Sequence, residues 1–290
     1  MNHHRLEPLH SLRIAAALAI ALLLFHGAAQ AQEVESANTP ACGSSIAACG
    51  CRITTSGTYT VTADLSGAAG DCIAIKANNV VLNINKHSIT GPGSGTSTGA
   101  GIHVLKSSSG AFIEGSGGPS YITASGWKYG LEVQGKNTIS DWVNPNGNVV
   151  GIFLDGATGA NINDFSADDN SVYGVWIRGG KGNQVNCFGS RSNTGTGVYI
   201  GCHNDDTRGT GCRGVKPSSG NRIYDFTSED NGDAGVVIDV GNKGNVLTDL
   251  TIKNNTGGVD SIDENPSCGT DRWMDSGSDN FGVTSQSCIP

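Results

Sequence analysis

The chain has 290 residues, of which 43 are glycine and 15% are charged, and its formal net charge at pH 7 is −8. An acidic sequence without a basic cluster argues against nucleic acid and anionic membranes as partners. Nine cysteines, two methionines and little helical periodicity favour a β-rich protein in an oxidising compartment.

The first 31 residues have the features of an export signal. Arg5 and Arg13 precede an unbroken apolar run from Ile14 to Phe25, and Ala29-Gln30-Ala31 supplies small residues at the cleavage positions. The apolar run is too short to span a bilayer. We therefore predict a secreted or periplasmic protein that starts at Gln32 and has no membrane segment once the signal is removed.

Cysteines cluster towards both ends of the mature chain. We expect a disulfide-rich cap at 32–56, a repetitive body at 57–266 and a C-terminal cap at 267–290. The pairs Cys202–Cys212 and Cys268–Cys288 are predicted to form disulfides, whereas the four N-terminal cysteines allow three connectivities. Cys187 is left over, and its phase in the repeat predicts a surface thiol that could cross-link two chains.

A Gly-aliphatic-x-aliphatic tetrad recurs along the body, usually about 23 residues after the previous one. The tetrads start at Gly101, Gly130, Gly151, Gly174, Gly197, Gly235 and, more weakly, Gly258. A fixed period with an in-out-in strand at constant phase predicts a stacked solenoid of about eight coils, each with three short strands.

Asparagines recur at two other fixed phases of the coil. The first set is Asn161, Asn183, Asn221 and Asn245, and the second is Asn170, Asn193, Asn231 and Asn254. Asparagine tolerates left-handed backbone, and its amide can bond to the coils above and below. Each set is therefore expected to form a ladder.

The tetrads, the Asn-x-Ile/Val-x-x-Phe units and the segment 83–91 resemble the right-handed parallel β-helix proteins of the pectin-lyase-like superfamily, over roughly residues 57–282. The resemblance implies an all-β, single-stranded right-handed parallel β-helix. It also implies a polysaccharide lying along the outer face of the tetrad sheet, where Asp, Arg, Lys or His side chains do the chemistry. The catalytic signatures of the known enzymes of that superfamily are missing from this sequence.

Alternation along the tetrads predicts which side chains face outward. The first outward row is His103, Glu132, Phe153, Trp176, Tyr199, Val237 and Asp260, and the second is Leu105, Gln134, Asp155, Arg178, Gly201 and Asp239. Neighbouring strands lie roughly 4.8 Å apart, so the three aromatic residues should form one exposed column on which sugar rings could stack. The alternative is that the rings only stabilise the sheet by stacking on one another.

A long polar loop follows the strand of Tyr199. It spans Cys202 to Lys216 and carries the candidates His203, Asp205, Asp206, Arg213 and Lys216. Loops at the rim of a face often present binding or catalytic residues, although such an insertion can also be a tolerated surface feature.

Two reactions fit these residues, and the sequence leaves enzyme status open. Hydrolysis needs a carboxylic acid and a carboxylate, which Asp155 could supply with Glu132 or with Asp205 or Asp206. Lyase chemistry needs a cation and a base, which Arg178 could supply with His203 or Lys216. Asp155 is the preferred acid or base and Arg178 the substrate-holding residue. Substrate contacts are expected from Phe153, Trp176, Tyr199, Glu132, Arg213 and Lys216, whereas His103 and Glu132 rank second for chemistry because they lie far from Trp176.

Other functions remain open as alternatives. The main one is a non-catalytic exported solenoid with a surface-structural or adhesive role. No resident metal or cofactor is predicted, although a calcium ion could bind the acidic turns at Asp168, Asp169, Glu229 and Asp230. The phase of these four residues assigns them to the repeat rather than to a catalytic pair. A monomer is expected.

Overall fold

The computed structural model describes residues 39–67, 70–115, 122–202, 212, 215–274 and 281–290. The predicted export signal lies outside these residues and stays a prediction. From Pro40 onward the chain forms one compact unit.

Nearly all regular structure in the described residues is short β-strand, with one 3₁₀ helix at Pro266–Cys268. In chain order the strands are β1 Ser45–Ile46, β2 Cys51–Ile53, β3 Gly57–Val61, β4 Leu65–Ser66, β5 Ile73–Ile75, β6 Val80–Asn83, β7 Ile89–Thr90, β8 Ala100–Val104, β9 Phe112–Glu114, β10 Ile122–Ser125, β11 Tyr129–Val133, β12 Ile139–Asp141, β13 Val143–Asn144, β14 Val150–Asp155, β15 Asn161–Ser166, β16 Tyr173–Arg178, β17 Gln184–Arg191, β18 Val198–Ile200, β19 Arg222–Glu229, β20 Val236–Ile238, β21 Val246–Lys253, β22 Ser261–Asp263 and β23 Arg272–Met274.

These strands form three parallel sheets whose strand order follows the chain. Sheet A has nine strands in the order β2-β5-β8-β11-β14-β16-β18-β20-β22, and it contains the tetrads. Sheet B has ten strands in the order β1-β3-β6-β9-β12-β15-β17-β19-β21-β23. Sheet C is short, with β4, β7, β10 and β13. Each coil therefore adds one strand to each long sheet, which is a parallel β-helix.

Tetrad residues two and four fill the interior of the helix. Ile152, Leu154, Val175 and Ile177 are fully buried, as are their equivalents in neighbouring coils. The glycine at the first position allows the coils to stack closely, since a Cβ atom on Gly151 would come within 2.6 Å of the next coil's carbonyl oxygen.

The last tetrad is out of phase with the prediction. Ile262, rather than Asp260, pairs with Val237 in sheet A. The side chain of Asp260 is instead buried, where it accepts a hydrogen bond from Asn255 Nδ2 at 2.7 Å. The weak motif at Gly258 therefore precedes the strand by two residues.

Sheet B carries a second repeated unit. Phe165, Phe188 and Phe226 stack inside it with ring centroids 4.7 and 4.9 Å apart. The residue before each phenylalanine has a left-handed backbone, as at Asp164 and Asp225. Aspartate tolerates this conformation better than most residues, so the repeated acidic position has a backbone origin.

Two asparagine ladders run along the corners between the long sheets. In the first, Asn183 donates to Asn221, which donates to Asn245, with Nδ2–Oδ1 distances of 2.9 Å. In the second, the ladder residues are Asn148, Asn170, Asn193, Asn231 and Asn255. The prediction is wrong for Asn254, which is exposed, and for Asn161, whose coil has Ala160 at the ladder position.

Each ladder ends on a carboxylate. Asn245 donates to Asp271 Oδ1, and Asn255 donates to Asp260 Oδ1. A carboxylate only accepts hydrogen bonds, so it satisfies the last amide and needs no further coil as a partner.

Three disulfides lie at the ends of the helix, and a fourth, Cys202–Cys212, lies in the long segment after β18. The bonds are Cys42–Cys51, Cys49–Cys72, Cys202–Cys212 and Cys268–Cys288, which confirms both predicted pairs. Cys187 is free and partly exposed, as predicted. Four disulfides are typical of a protein from an oxidising compartment.

The predicted caps contribute strands to the sheets. The N-terminal strands β1 and β2 pair with β3 and β5, and β23 pairs with β21. The boundaries of the four predicted parts stay a prediction. In the described part of the chain, no helix is long and apolar enough to cross a membrane.

The ladder residue Asn221 is expected to be critical for stability. Asn221→Ala removes the acceptor of Asn183 and leaves buried amides unpaired, which should cost about 3 kcal/mol. The measurement is the midpoint of urea denaturation. Asn161→Ala is the matched control, because the Asn161 side-chain oxygen is in no ladder, and an equal loss in both variants would contradict the ladder's role.

The terminal carboxylate Asp271 is expected to make stability depend on pH. Burial, with a smaller contribution from the Asp263 charge, raises the pKa of Asp271 from 3.8 to about 6 despite the hydrogen bonds from Asn245. The folded protein therefore holds this proton more tightly than the unfolded chain does.

Stability from this group is thus greatest at low pH and falls by about 2 kcal/mol as the pH rises from about 4 through 6. Urea midpoints at several pH values should show a smaller fall over this range in Asp271→Asn than in the wild type. Equal slopes would contradict the assignment.

Candidate functional site

The outer face of sheet A carries one continuous row of side chains across the coils. Strand register places His103 beside Glu132, Glu132 beside Phe153, and Phe153 beside Trp176. Tyr199 and Val237 continue the row. The row predicted from alternation is confirmed as far as Val237.

Aromatic rings form the middle of this row. Tyr129, the residue before a tetrad glycine, stacks on Phe153 at 4.7 Å, and Phe153 stacks on Trp176 at 4.5 Å. Trp176 and Tyr199 are farther apart, at 6.4 Å and a tilt of 57°. Tyr173 fills that step, since it lies 5.4 Å from Trp176 and 4.9 Å from Tyr199.

The prediction that the aromatic column is exposed is wrong for two of its three members. Phe153 is 1% exposed and Tyr199 is fully buried, while Trp176 is half-buried. Phe153 is sandwiched between two neighbouring rings and covered by the Arg178 guanidinium, 4.8 Å above its centroid. Stacking within the sheet therefore accounts for part of the column.

Contacts at the end of strand β18 keep the Tyr199 side chain buried. Its ring lies across Gly201, where a Cβ atom would come within 2.5 Å of the ring, and its hydroxyl hydrogen-bonds Asp239 at 3.2 Å. Asp239 is fully buried, and Leu105 is 4% exposed, so these two residues of the second predicted outward row are not on the surface.

Asp155 and Arg178 lie side by side in the second row. Arg178 Nε and Nη2 each donate to one Asp155 oxygen at 2.8 Å. Both side chains remain partly exposed. The two residues chosen for acid–base and substrate-holding roles thus bind each other, and a carboxylate paired in this way keeps two of its four lone-pair sites free.

Three titratable side chains lie close together at the N-terminal end of the row. His103 Nδ1 lies 2.8 Å from Asp71 Oδ2, and His103 Nε2 lies 3.8 Å from Glu132 Oε2. Asp71 is itself fixed by the Ala100 amide, which donates to its other oxygen at 2.8 Å. Gln134 Nε2 donates to Glu132 Oε1 at 3.0 Å.

The pKa values of the two carboxyl groups in this cluster shift in opposite directions, although both groups are partly or largely buried. Burial raises the pKa of Glu132, and the nearby charges of Asp71 and Asp155 add to that rise against the opposing effects of His103 and Gln134. Burial alone would also raise the pKa of Asp71, but His103, the Ala100 amide and Arg52 together lower it. Such a pair, with one acid more readily protonated than the other, is typical of functional sites.

Most of the loop candidates cannot be placed. His203, Asp205, Asp206 and Arg213 lie outside the described residues. Lys216 is described and exposed, and its carbonyl oxygen lies close to Gly179, directly after the strand of Arg178.

The acidic turns belong to the repeat, as their phase predicted. Asp169 and Asp230 share a left-handed backbone conformation. Glu229 is paired with Arg191 at 2.8 Å and with Lys253 at 3.2 Å. Within the described ranges no three His, Cys, Asp or Glu side chains are arranged as metal ligands, and the calcium prediction stays untested.

Sheet B carries a groove on a different face from the Glu132 cluster. It has a volume of about 920 Å³ and is lined by Cys187, Tyr224 and the acidic positions Asp164, Asp225 and Asp249. The Cys187 thiol donates to Asp225 Oδ2 at 3.2 Å. Burial, then this bond and the nearby carboxylate charges, raise the pKa of the thiol to about 11.

Sequence reasoning missed Asp71, Tyr129 and Tyr173. Tyr129 and Tyr173 directly precede tetrad glycines, where apolar residues recur, as at Val150, and this recurrence was the available signal. Asp71 precedes the tetrad-like Cys72-Ile73-Ala74-Ile75. Its contact with His103 depends on coil-to-coil packing and has no local signal.

Comparison with known proteins identifies the fold. No protein-family model matches the chain, and no curated protein matches it. Among solved structures, the enzymatically active domain of tailspike protein 2 of bacteriophage CBA120 is similar, with a TM-score of 0.55 and 13% identity over 80% of this chain. The Dettilon tailspike protein is similar with a TM-score of 0.48 and 13% identity over 78% of this chain.

This chain spans 38% of the first of these proteins and 51% of the second. At such low identity the likeness bears on the fold alone. With its parallel sheets, the chain is a right-handed parallel β-helix, as the sequence resemblance implied.

The Cys187 thiol is expected to react slowly, because little thiolate exists at neutral pH when the pKa is about 11. Asp225→Asn should speed alkylation by iodoacetamide at about pH 8, by about tenfold for each unit that the pKa falls. Asp164→Asn is the control and should have a smaller effect, because Asp164 acts on the thiol through charge alone. Equal rates in the wild type and Asp225→Asn would contradict this prediction.

Proposed function

We propose that the protein is exported and binds polysaccharide along the outer face of sheet A. The observation that carries the proposal is the partly exposed patch of Tyr129, Trp176, Arg178 and Asp155 on one parallel sheet. We name this group the sheet A patch.

The chemistry of the sheet A patch suits sugars. Sugar rings present C–H surfaces that pack on aromatic side chains, and Tyr129 and Trp176 offer such surfaces about two strands apart. Arg178 uses two of its five N–H donors on Asp155, so the remaining donors and the free lone pairs of Asp155 can bond hydroxyl groups.

One structural neighbour, the enzymatically active domain of a phage tailspike, supports the proposal through its shared fold, and this chain covers 38% of it. Export is supported by the four disulfides and by the signal predicted at residues 1–31.

The competing function is an exported structural or adhesive solenoid without a ligand on this face. The burial of Phe153 and Tyr199 favours it, because these rings already stabilise the sheet by packing on their neighbours. It predicts that no polymer is retained by the sheet A patch.

The test is affinity gel electrophoresis of the mature protein in gels that contain polygalacturonate, alginate, dextran or xylan. At least one polymer should retard the wild type, and Trp176→Ala should weaken that retardation by about fivefold in Kd, since a stacked ring contributes about 1 kcal/mol.

Trp142→Ala is the matched control. Trp142 is 41% exposed and lies between β12 of sheet B and β13 of sheet C, so it is not part of sheet A. Its removal should leave retardation unchanged. Loss of retardation in both variants, or retardation that Trp176→Ala leaves intact, would contradict binding at the sheet A patch.

A further inference from the structure

We infer that the corner between sheet A and sheet B is a separate binding site for a linear anionic polysaccharide that carries one acidic group in every second sugar. This inference goes beyond the proposed function, because the corner is not part of the sheet A patch and its ligand is not cleaved there. The evidence is a row of lysine and hydroxyl side chains that the coils stack in register.

Lysines are concentrated at this corner. The chain has nine lysines, and six of them lie in the turns that lead from a strand of sheet A to a strand of sheet B, namely Lys76, Lys106, Lys136, Lys181, Lys216 and Lys243. These positions are far apart in sequence, so the chain shows no basic cluster. Stacking of the coils nevertheless brings them to one edge of a protein whose formal net charge is −8.

No acidic residue balances these charges within the turns. The described residues of the turns are 76–79, 106–110, 134–138, 156–160, 179–184, 215–221 and 240–245, and none of them is Asp or Glu. Lys136, Lys181 and Lys243 are exposed, and none of the three forms an ion pair with a described residue. The corner therefore presents uncompensated positive charge to solvent.

Backbone pairing sets the order of the side chains along the corner. Lys136 pairs with Ser109 on one side and Thr158 on the other, and Lys181 pairs with Thr158 and Ser219. Lysine and hydroxyl side chains therefore alternate from coil to coil. We name this series the corner row, and its members are Ser109, Lys136, Thr158, Lys181, Ser219 and Lys243.

The residues that follow the corner row hold it in a fixed geometry. Each row residue precedes a position with a left-handed backbone, such as Gly182 after Lys181 and Gly244 after Lys243. In three coils the next residue belongs to the first asparagine ladder, as Asn183, Asn221 or Asn245. The backbone positions of successive row lysines are therefore two strand spacings apart, or about 9.6 Å.

This spacing selects the class of ligand. A disaccharide unit of an extended glycan is about as long as two coils, so a polymer with one carboxylate or sulfate per disaccharide can place an anion beside each row lysine. The ammonium groups can donate charge-assisted hydrogen bonds to these anions. The hydroxyl groups of Thr158 and Ser219 then lie beside the intervening neutral sugars, whose hydroxyls they can bond.

The experiment measures binding of the full mature protein to a fluorescently labelled hyaluronate hexasaccharide, which has one carboxylate per disaccharide. Fluorescence anisotropy at low ionic strength should show saturable binding that weakens as salt is added, because the row lysines are exposed. Lys136→Gln/Lys181→Gln should raise Kd about fivefold, since each exposed ion pair contributes modestly and two are lost.

Lys86→Gln/Lys253→Gln is the matched control, because it removes the same charge from two exposed lysines outside the corner row. Its Kd should stay within about twofold of the wild type. Trp176→Ala separates this site from the sheet A patch and should leave the Kd of the hexasaccharide unchanged.

The spacing is tested with labelled trigalacturonate, which has the same number of carboxylates on consecutive sugars. It should bind the wild type more weakly than the hexasaccharide does. Thr158→Lys places a cation in each coil between Lys136 and Lys181, so it should improve binding of trigalacturonate more than binding of the hexasaccharide. Equal or tighter binding of trigalacturonate to the wild type would contradict the assigned class of ligand.

The inference is overturned if the hexasaccharide does not bind, or if the row and control variants lose binding equally. It is also overturned if a labelled single-stranded oligonucleotide binds more tightly and depends on the same lysines, which would assign the row to nucleic acid. Loss of hexasaccharide binding in Trp176→Ala would place that ligand on the sheet A patch. Failure of every polymer to bind through Trp176 contradicts the proposed function alone and leaves the corner row as inferred.

Discussion

Parallel hydrogen bonding between successive coils is the constraint on which the rest of the structure depends. Because each strand pairs in register with its equivalents above and below, a residue's phase in the coil decides its neighbours. The same register creates the phenylalanine stack in sheet B, the asparagine ladders at the corners and the outward row of sheet A. A substitution at one position would therefore change contacts with the equivalent residues of both neighbouring coils.

The fold could be predicted well from the sequence because the same pattern of apolar residues and glycines recurs at the same position in many coils. The tetrads, both ladders and two disulfides came from periodicity and spacing alone. Two errors lie at the C-terminal end, where the coil pattern loosens: Asn254 and Asp260 were assigned to ladder and sheet positions one or two residues away from Asn255 and Ile262. A third is in the middle of the chain, where Ala160 rather than Asn161 occupies the ladder position.

The candidate site was only partly predictable. Alternation showed that Phe153 and Tyr199 leave the interior, but it could not show that neighbouring rings, an arginine and a glycine would cover them. It placed Asp155 beside Arg178, but the bidentate ion pair between them depends on side-chain rotamers, which alternation does not determine. Asp71 was out of reach, since its contact with His103 joins residues 32 positions apart through a turn that belongs to no motif.

The ladders also show how this architecture tolerates change. Asn183 bonds to Asn221 across 38 positions of sequence, and Asn221 bonds to Asn245 across 24, with the same Nδ2–Oδ1 distance of 2.9 Å. The coil that contains the long insertion is therefore as regular at its corner as its neighbour. Changes of length within residues 203–216 are therefore expected to leave the ladder bonds of Asn221 in place. Evolution could thus vary ligand specificity beside a constant sheet, and a protein engineer could graft new loops at the same place.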